Sequence, residues 1–165
     1  MASNLIKHQE IFKVGNTKYK SFNKIFIIAE AGSNHGGNYK KAIELIDIAS
    51  STGCDAVKFQ LFTADKIIQK NKPGWKVLKP LELPSKWLID LIKYAHTKKI
   101  FFGISVFDTD SINFLKKIKV DFLKIASTEI QDLPLIKKSA QTKIPLVVST
   151  GASNIKDIFL ACEAI

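Results

Sequence analysis

Arginine is absent from the 165 residues: all 25 basic side chains are lysine, set against 15 acidic ones, for a formal net charge of +10. A surplus of that size raises nucleic acid as a partner. Without a planar guanidinium, however, the chain lacks the usual bidentate reader of phosphate and guanine. The lysines are also scattered, with short pairs such as Lys40-Lys41, Lys98-Lys99 and Lys116-Lys117 on helix-like segments. Solvated helix faces account for most of them, and no nucleic-acid partner is expected. Cysteine is scarce: Cys54 and Cys162 sit in apolar patterns without metal-ligand spacing. They are expected to be reduced, buried thiols of a cytoplasmic protein. No apolar run approaches the ~18 residues of a membrane span. The start, "MASNLIKHQEIFKVG", lacks the apolar core of a signal peptide. Histidine occurs three times and never in a cluster. His8 and His96 read as terminus and helix-surface residues, so no metal-ligand set stands out.

What the chain does have is a repeated alternation of apolar strands and amphipathic helices, with 46% of its residues apolar and thus enough to bury one core. "EIFKVGNTKYKSF" comes first, two alternating runs around Gly15-Asn16 that predict a β-hairpin. The repeat then begins with the strand "KIFIIAEAG", the loop "SNHGGN" and a helix over residues 39–52 that buries Ala42, Leu45, Ile46 and Ala49 and stops at Gly53. "CDAVKFQLF" is the second strand. A long connection over residues 63–84 carries Pro73-Gly74-Trp75, with Trp75 as either a lid or an anchor. Ser85 is expected to cap the next helix, and Asp108 or Asp110 the one after "IFFGISVF". Asp132, with Pro134 in the first turn, caps the helix after "VDFLKIAS". Ser153 caps a last helix after "IPLVVSTG", whose stripe is Ile155, Ile158, Phe159 and Cys162. Five βα units in succession predict an α/β fold with a parallel sheet. An open doubly wound sheet and part of a (β/α)₈ barrel fit this pattern equally.

Each strand carries polar residues at its C-terminal end: Glu30, then Lys58 and Gln60, Ser105, then Lys124 with Ser127 and Glu129, and finally Ser149-Thr150. In both architectures the binding crevice lies at that end of the sheet. Period two sends Val57, Phe59 and Leu61 towards the helices and Lys58 and Gln60 to the opposite face. A lysine in an apolar setting needs an anionic partner or a depressed pKa. Glu30 or Glu129 supplies that partner in a purely structural reading. The alternative is a phosphate- or carboxylate-bearing ligand held by Lys58 and Lys124 with the hydroxyls of Ser105, Ser127 and Ser149. "GSNHGG" lacks the spacing of nucleotide-binding loops, so His35 reads as a loop-shaping or substrate-side hydrogen-bonding residue.

The stretch "FIIAEAGSNHGGNYKKAIELIDIASSTGCDAVKFQLF" resembles the N-terminal barrel segment of the sialic acid synthase family. Ala29 to His35 match the family's Ala-Glu-x-Gly-x-Asn-His signature and Lys58 to Gln60 its Lys-Phe-Gln. "LKIASTE", "VVSTGAS" and the leading "FKVGNTKYKSF" follow in the family's order, with Leu61 and Thr128 standing where Thr and Gly are usual. The resemblance implies a TIM-type (β/α)₈ barrel of which about five units are present. Residues 1–24 would form the N-terminal segment with its hairpin, and 25–165 the incomplete barrel domain. It further implies condensation of phosphoenolpyruvate with an N-acetylated, N-acetylmannosamine-like sugar to a nonulosonic acid, with release of phosphate. Lys58, Ser105, Lys124, Ser127 and Ser149 would hold phosphoenolpyruvate, with Glu30 and Gln60, and Asn34 and His35 of the first signature, on the substrate side. Glu129 would act near the reacting carbons, with Glu30 and Lys124 beside it as candidate catalytic groups. A divalent metal, Mn²⁺ or Mg²⁺, is implied, with its histidine ligands on later strands and none in this chain. Full-length members are expected to be homodimers. This chain is expected to be the phosphoenolpyruvate-binding half, truncated or split, inactive alone and prone to associate through its barrel edges. The competing readings are a lysine Schiff-base aldolase acting through Lys124 or Lys58, and a non-catalytic anion-binding fragment.

Overall fold

The structure, a computed structural model, describes residues 11–20 and 25–165. His8 and residues 21–24, against which the domain boundary was drawn, lie outside the described residues. The chain opens with an antiparallel hairpin, β1 (Ile11–Val14) and β2 (Thr17–Lys20), joined by Gly15-Asn16. Gly15 has φ +55° and Asn16 does not share the positive sign, the pattern of a type II′ turn with glycine first.

Five parallel strands follow: β3 (Ile28–Gly32), β4 (Ala56–Leu61), β5 (Phe101–Val106), β6 (Phe122–Ile125) and β7 (Leu146–Val148), lying side by side in chain order. A doubly wound sheet reverses its order at a switch point. This one never reverses, so its right-handed crossovers all step the same way and lay the helices on one face. That is the arrangement of consecutive barrel units, and it separates the two architectures that periodicity left open.

The outward residues Val57, Phe59, Phe102, Ile104, Leu123 and Ile125 are fully buried against the helices. Those helices are α1 (Tyr39–Ser51), α4 (Leu88–Thr97), α5 (Asp110–Ile118), α6 (Leu133–Gln141) and α7 (Ile155–Ala164), with α2 (Ala64–Ile67) and α3 (Pro73–Leu78) in the long connection. On the inner face a second apolar cluster gathers Val14, Ala56 and Phe122, with Phe26, Ile28, Phe101 and Val147 packed on it. The hairpin therefore plugs the N-terminal end of the strands. Asp55 fastens it, accepting from Tyr19 Oη at 3.2 Å and from the Ile27 amide at 2.9 Å.

Several helix ends differ from the sequence expectations. Ser85 opens a 3₁₀ turn, Ser85–Trp87, and α4 starts without a side-chain cap, because the Trp87 amide already bonds to the Pro84 carbonyl. The last helix is capped by Asn154, reciprocally with Asp157, while Ser153 bonds back to the Thr150 carbonyl. Asp108 caps α5 from outside, accepting from the amides of Asp110 and Ser111. The 63–84 connection holds two short helices, the second begun by Pro73, whose fixed φ suits a first turn. On α7 the expected stripe is only partly buried: Ile158 packs on the core, but Ile155, Phe159 and Cys162 are exposed and Ala161 is the buried residue. Cys54 is half-buried, so neither thiol is a core residue.

Candidate functional site

The site is assembled by strand register. Glu30 on β3 pairs with Lys58 on β4, and Lys58 with Gly103 on β5. One layer towards the strand C-termini, Gln60 pairs with Ser105 and Ser105 with Lys124 on β6. Period two makes all of these inward positions. Lys58 Nζ lies 2.5 Å from Glu30 Oε2 and donates to Ser105 Oγ at 2.7 Å. Lys58 and Ser105 are only 5% and 3% exposed, whereas the Glu30 side chain is 56% exposed, so the pair runs from the interior to the open rim. Lys124 Nζ donates to Ser149 Oγ at 2.6 Å and to the Ile125 carbonyl at 3.0 Å. That same carbonyl accepts the Ser149 amide, which fixes the hydroxyl.

The electrostatic balance is uneven. Burial, then the positive charge of Lys58, pushes the Lys124 ammonium below its ordinary pKa, with Glu30 opposing in part. Two cations thus share the inner face with one carboxylate, and Lys124 has hydroxyl and carbonyl partners in place of an anion. Gly32 stands beside Glu30 and Gln60 at φ +56°, a left-handed conformation that favours glycine at this end of β3. It is the glycine of the Ala29–His35 signature, two residues after Glu30.

The structure therefore brings Glu30, Lys58, Gln60, Ser105, Lys124 and Ser149 together. Ser127 opens the Ser127–Glu129 turn just beyond β6, with its Oγ 3.9 Å from where a Cβ of Gly151 would stand. Glu129 accepts from Thr128 Oγ1 at 3.0 Å and forms no ion pair among the described residues. Asn34 is exposed in the β3–α1 loop. His35 is placed differently from a substrate-side residue. It is fully buried, its Nδ1 accepts the Gly37 amide at 3.0 Å, and its ring packs towards Phe59 and Trp87 on the helix side of the sheet. Burial also lowers its pKa, which favours the neutral imidazole. Trp75 is an anchor: its Nε1 donates to Asp65 at 2.9 Å, and the Lys79 ammonium stands 5.9 Å from its ring. Among the described residues no group of three or more His, Cys, Asp or Glu side chains is arranged to hold a metal. His96 bonds to Asp121 at 2.7 Å. The described residues therefore do not fit a metal, and no helix among them is long and apolar enough to cross a membrane.

Comparison with known proteins adds the following. The model of the NeuB family matches residues 45–165. The chain is 36% identical to the spore coat polysaccharide biosynthesis protein SpsE of Bacillus subtilis, covering 93% of this chain and 44% of that protein. It is 38% identical to the N,N'-diacetyllegionaminic acid synthase of Legionella pneumophila, over 85% of this chain and 43% of the synthase. Among solved structures it superposes on the N-acetylneuraminic acid synthetase of Leptospira borgpetersenii, in complex with citrate, with a TM-score of 0.87 and 33% identity over 95% of this chain and 56% of that one. The chain spans about half the length of the curated relatives it matches.

Proposed function

Because this chain belongs to the NeuB family, we propose that its strand C-termini bind phosphoenolpyruvate for condensation with an N-acetylated hexosamine to a sialic-type acid. The observation that carries this reading is the pair of inward lysines, Lys58 and Lys124, which share one carboxylate between them and hold the hydroxyls of Ser105 and Ser149. A ligand bearing both phosphate and carboxylate supplies the missing negative charge. It also accepts from the same ammonium and hydroxyl groups.

In the reaction the enol carbon forms a bond to the aldehyde carbon of the open-chain sugar, whose oxygen takes up a proton. Water adds to the resulting cationic carbon, and the phosphate leaves with its bridging oxygen. On this side of the barrel, Lys58 and Lys124 neutralise the phosphate and carboxylate and hold the enol face towards the sugar. Ser105, Ser127 and Ser149 orient the oxyanions. Glu30 and Gln60, standing at the open rim around Gly32, take the sugar side. Glu129, one turn beyond β6, is assigned to charge developing at the reacting carbons. The metal that the family resemblance implies finds no ligand set here, so no step is routed through it. We assign it to residues outside this sequence, and propose that the chain alone binds phosphoenolpyruvate without turning it over.

Calorimetric titration with phosphoenolpyruvate tests the reading. Saturable binding is expected, weakened at least about tenfold in Lys58→Met and Lys124→Met, and an absence of binding in wild type overturns it. A second reading rests on the lowered pKa of Lys124, which favours a nucleophilic amine and therefore an imine-forming aldolase. Borohydride with pyruvate separates the two. A stable adduct on Lys124 supports the aldolase, and its absence alongside phosphoenolpyruvate binding supports the condensing enzyme.

A further inference from the structure

Phe122 occupies a position that the chemistry above leaves unexplained. It faces inward from β6, is fully buried in the inner apolar cluster with Val14 and Ala56, and meets Phe26 at a centroid distance of 5.9 Å. Its register partner on β5 is Gly103, which in turn pairs with Lys58 on β4. A Cβ on Gly103 would overlap the far end of the Phe122 ring, with even Cε1 only 2.6 Å away. The ring therefore reaches off its own strand and rests on the bare backbone of β5, beside Lys58. Two residues further along the same strands and on the same face stand Ser105, after Gly103, and Lys124, after Phe122. The aromatic ring thus separates the apolar plug from the polar layer.

We infer that Gly103 and Phe122 form the water-excluding floor of the anion site, and that Gly103 is a positioning residue which admits the ring beneath Lys58, Ser105 and Lys124. The inference deepens the proposed function and rests on it for the identity of the anion. The physical reasoning is that an ammonium over a dry apolar floor is poorly solvated from below. Its hydrogen bonds then point up to Ser105 and Ser149, where the ligand's oxyanions arrive. A side chain at Gly103 pushes the ring aside, admits water and lets both lysines relax.

The test reads the Lys124 ammonium directly, by NMR titration of ¹³C-labelled lysine, with the resonance identified by its loss in Lys124→Met. Lys58 and Glu30 are the charged groups that face it. In Gly103→Ala the titration midpoint is expected to rise towards the ordinary lysine value, and the Kd for phosphoenolpyruvate to rise at least about tenfold, in line with the sensitivity of oriented sites to ångström displacements. Phe122→Leu, which opens the floor without a clash, is expected to do the same and covers the case in which Gly103→Ala does not fold. The double variant, whose added methyl refills part of the gap, is expected to move both readouts back towards wild type. A midpoint that stays unmoved in the folded single variants overturns the inference. A midpoint that moves in the variants while the wild-type chain binds no phosphoenolpyruvate leaves the floor standing and overturns the functional reading instead.

Discussion

Lys58→Met separates a ligand-binding lysine from a structural one, because the structure predicts opposite outcomes for binding and stability. Lys58 is 5% exposed and has two partners, Glu30 at 2.5 Å and Ser105 at 2.7 Å. Methionine keeps most of the stem volume and removes the charge. Replacing a buried ammonium with an apolar group relieves its desolvation. Replacing both members of a buried pair runs from neutral to about 1–4 kcal/mol stabilising, whereas removing one member alone costs about 3–5 kcal/mol when its partner stays buried. The Glu30 carboxylate left behind is more than half exposed and recovers water, so it adds little penalty. Ser105 Oγ loses its donor in a 3% exposed position, at about 1–3 kcal/mol. These terms oppose each other and are similar in size, so the expected change in unfolding free energy is within about 1 kcal/mol. Binding has no such compensation. Loss of one charge-assisted hydrogen bond to phosphate costs about 1.5–3 kcal/mol, or roughly 10- to 150-fold in Kd. Urea denaturation and calorimetric titration on the same preparation measure both. A variant destabilised by more than about 3 kcal/mol, or one that binds phosphoenolpyruvate as tightly as wild type, refutes the reasoning.

Other outcomes follow from the same geometry. Glu129→Gln is expected to leave phosphoenolpyruvate affinity within about twofold while lowering turnover in an enzyme reconstituted with the remaining barrel units, since the charge acts in the transition state; equal losses in both would place Glu129 in a structural role. Tyr19, whose pKa burial and the neighbouring Asp55 push up to about 12 from 10.0, keeps its proton in the fold after the unfolded chain has lost it. Stability is therefore expected to fall as pH rises from about 10 towards about 12, and Tyr19→Phe, followed by denaturation at several alkaline pH values, should flatten that fall. Lys119→Gly is expected to stabilise the fold by up to about 1 kcal/mol, because it relieves a left-handed backbone at φ 57° while adding freedom to the unfolded chain. A lower denaturation midpoint would count against the strain argument.

The helix ends show where local sequence signals lose their force. Gly53 marked the end of α1 plainly, and its φ of +77° agrees. The ends of α4, α5 and α6 use the same left-handed residue, but it is Lys99, Lys119 or Lys143, at φ 62°, 57° and 62°. After α1, α4 and α5, the amide of the residue that follows the left-handed one bonds back five residues: Cys54 to Ala49, Ile100 to Ala95, Val120 to Leu115. An apolar residue there packs on the core, and tertiary packing holds a lysine where glycine would be cheaper. No propensity rule finds such a turn, which is why Lys99, within the Lys98-Lys99 pair, reads only as solvated surface. The caps at Ser85 and Ser153 failed for a related reason. Each serine lies beside a stronger local solution, a 3₁₀ turn after Pro84 in one case and the reciprocal Asn154–Asp157 box in the other.

The site was more legible than the caps because strand periodicity is strict. Once Val57 and Phe59 are known to face the helices, Lys58 and Gln60 have only one direction left, and register then aligns them with Glu30, Ser105 and Lys124. Side chains on loops carry no such constraint. His35 and Asn34 are adjacent in one tight loop, yet one is fully buried behind Phe59 and the other is exposed. The His35 ring lies in the helix layer near Phe59 and Trp87, with its Nδ1 accepting from the Gly37 amide. Phe122 makes the complementary point. Its inward direction follows from period two, but its role depends on the missing side chain of Gly103 one strand away, which becomes visible only when the two strands are laid in register. The polar layer and its apolar floor are therefore set by the same parity of the same strands. A one-residue slip in β5 or β6 would send Ser105 or Lys124 into the helix layer and an outward residue into the site. The proposed anion binding and correct strand pairing are for that reason coupled, and a variant that slips in register is expected to lose both.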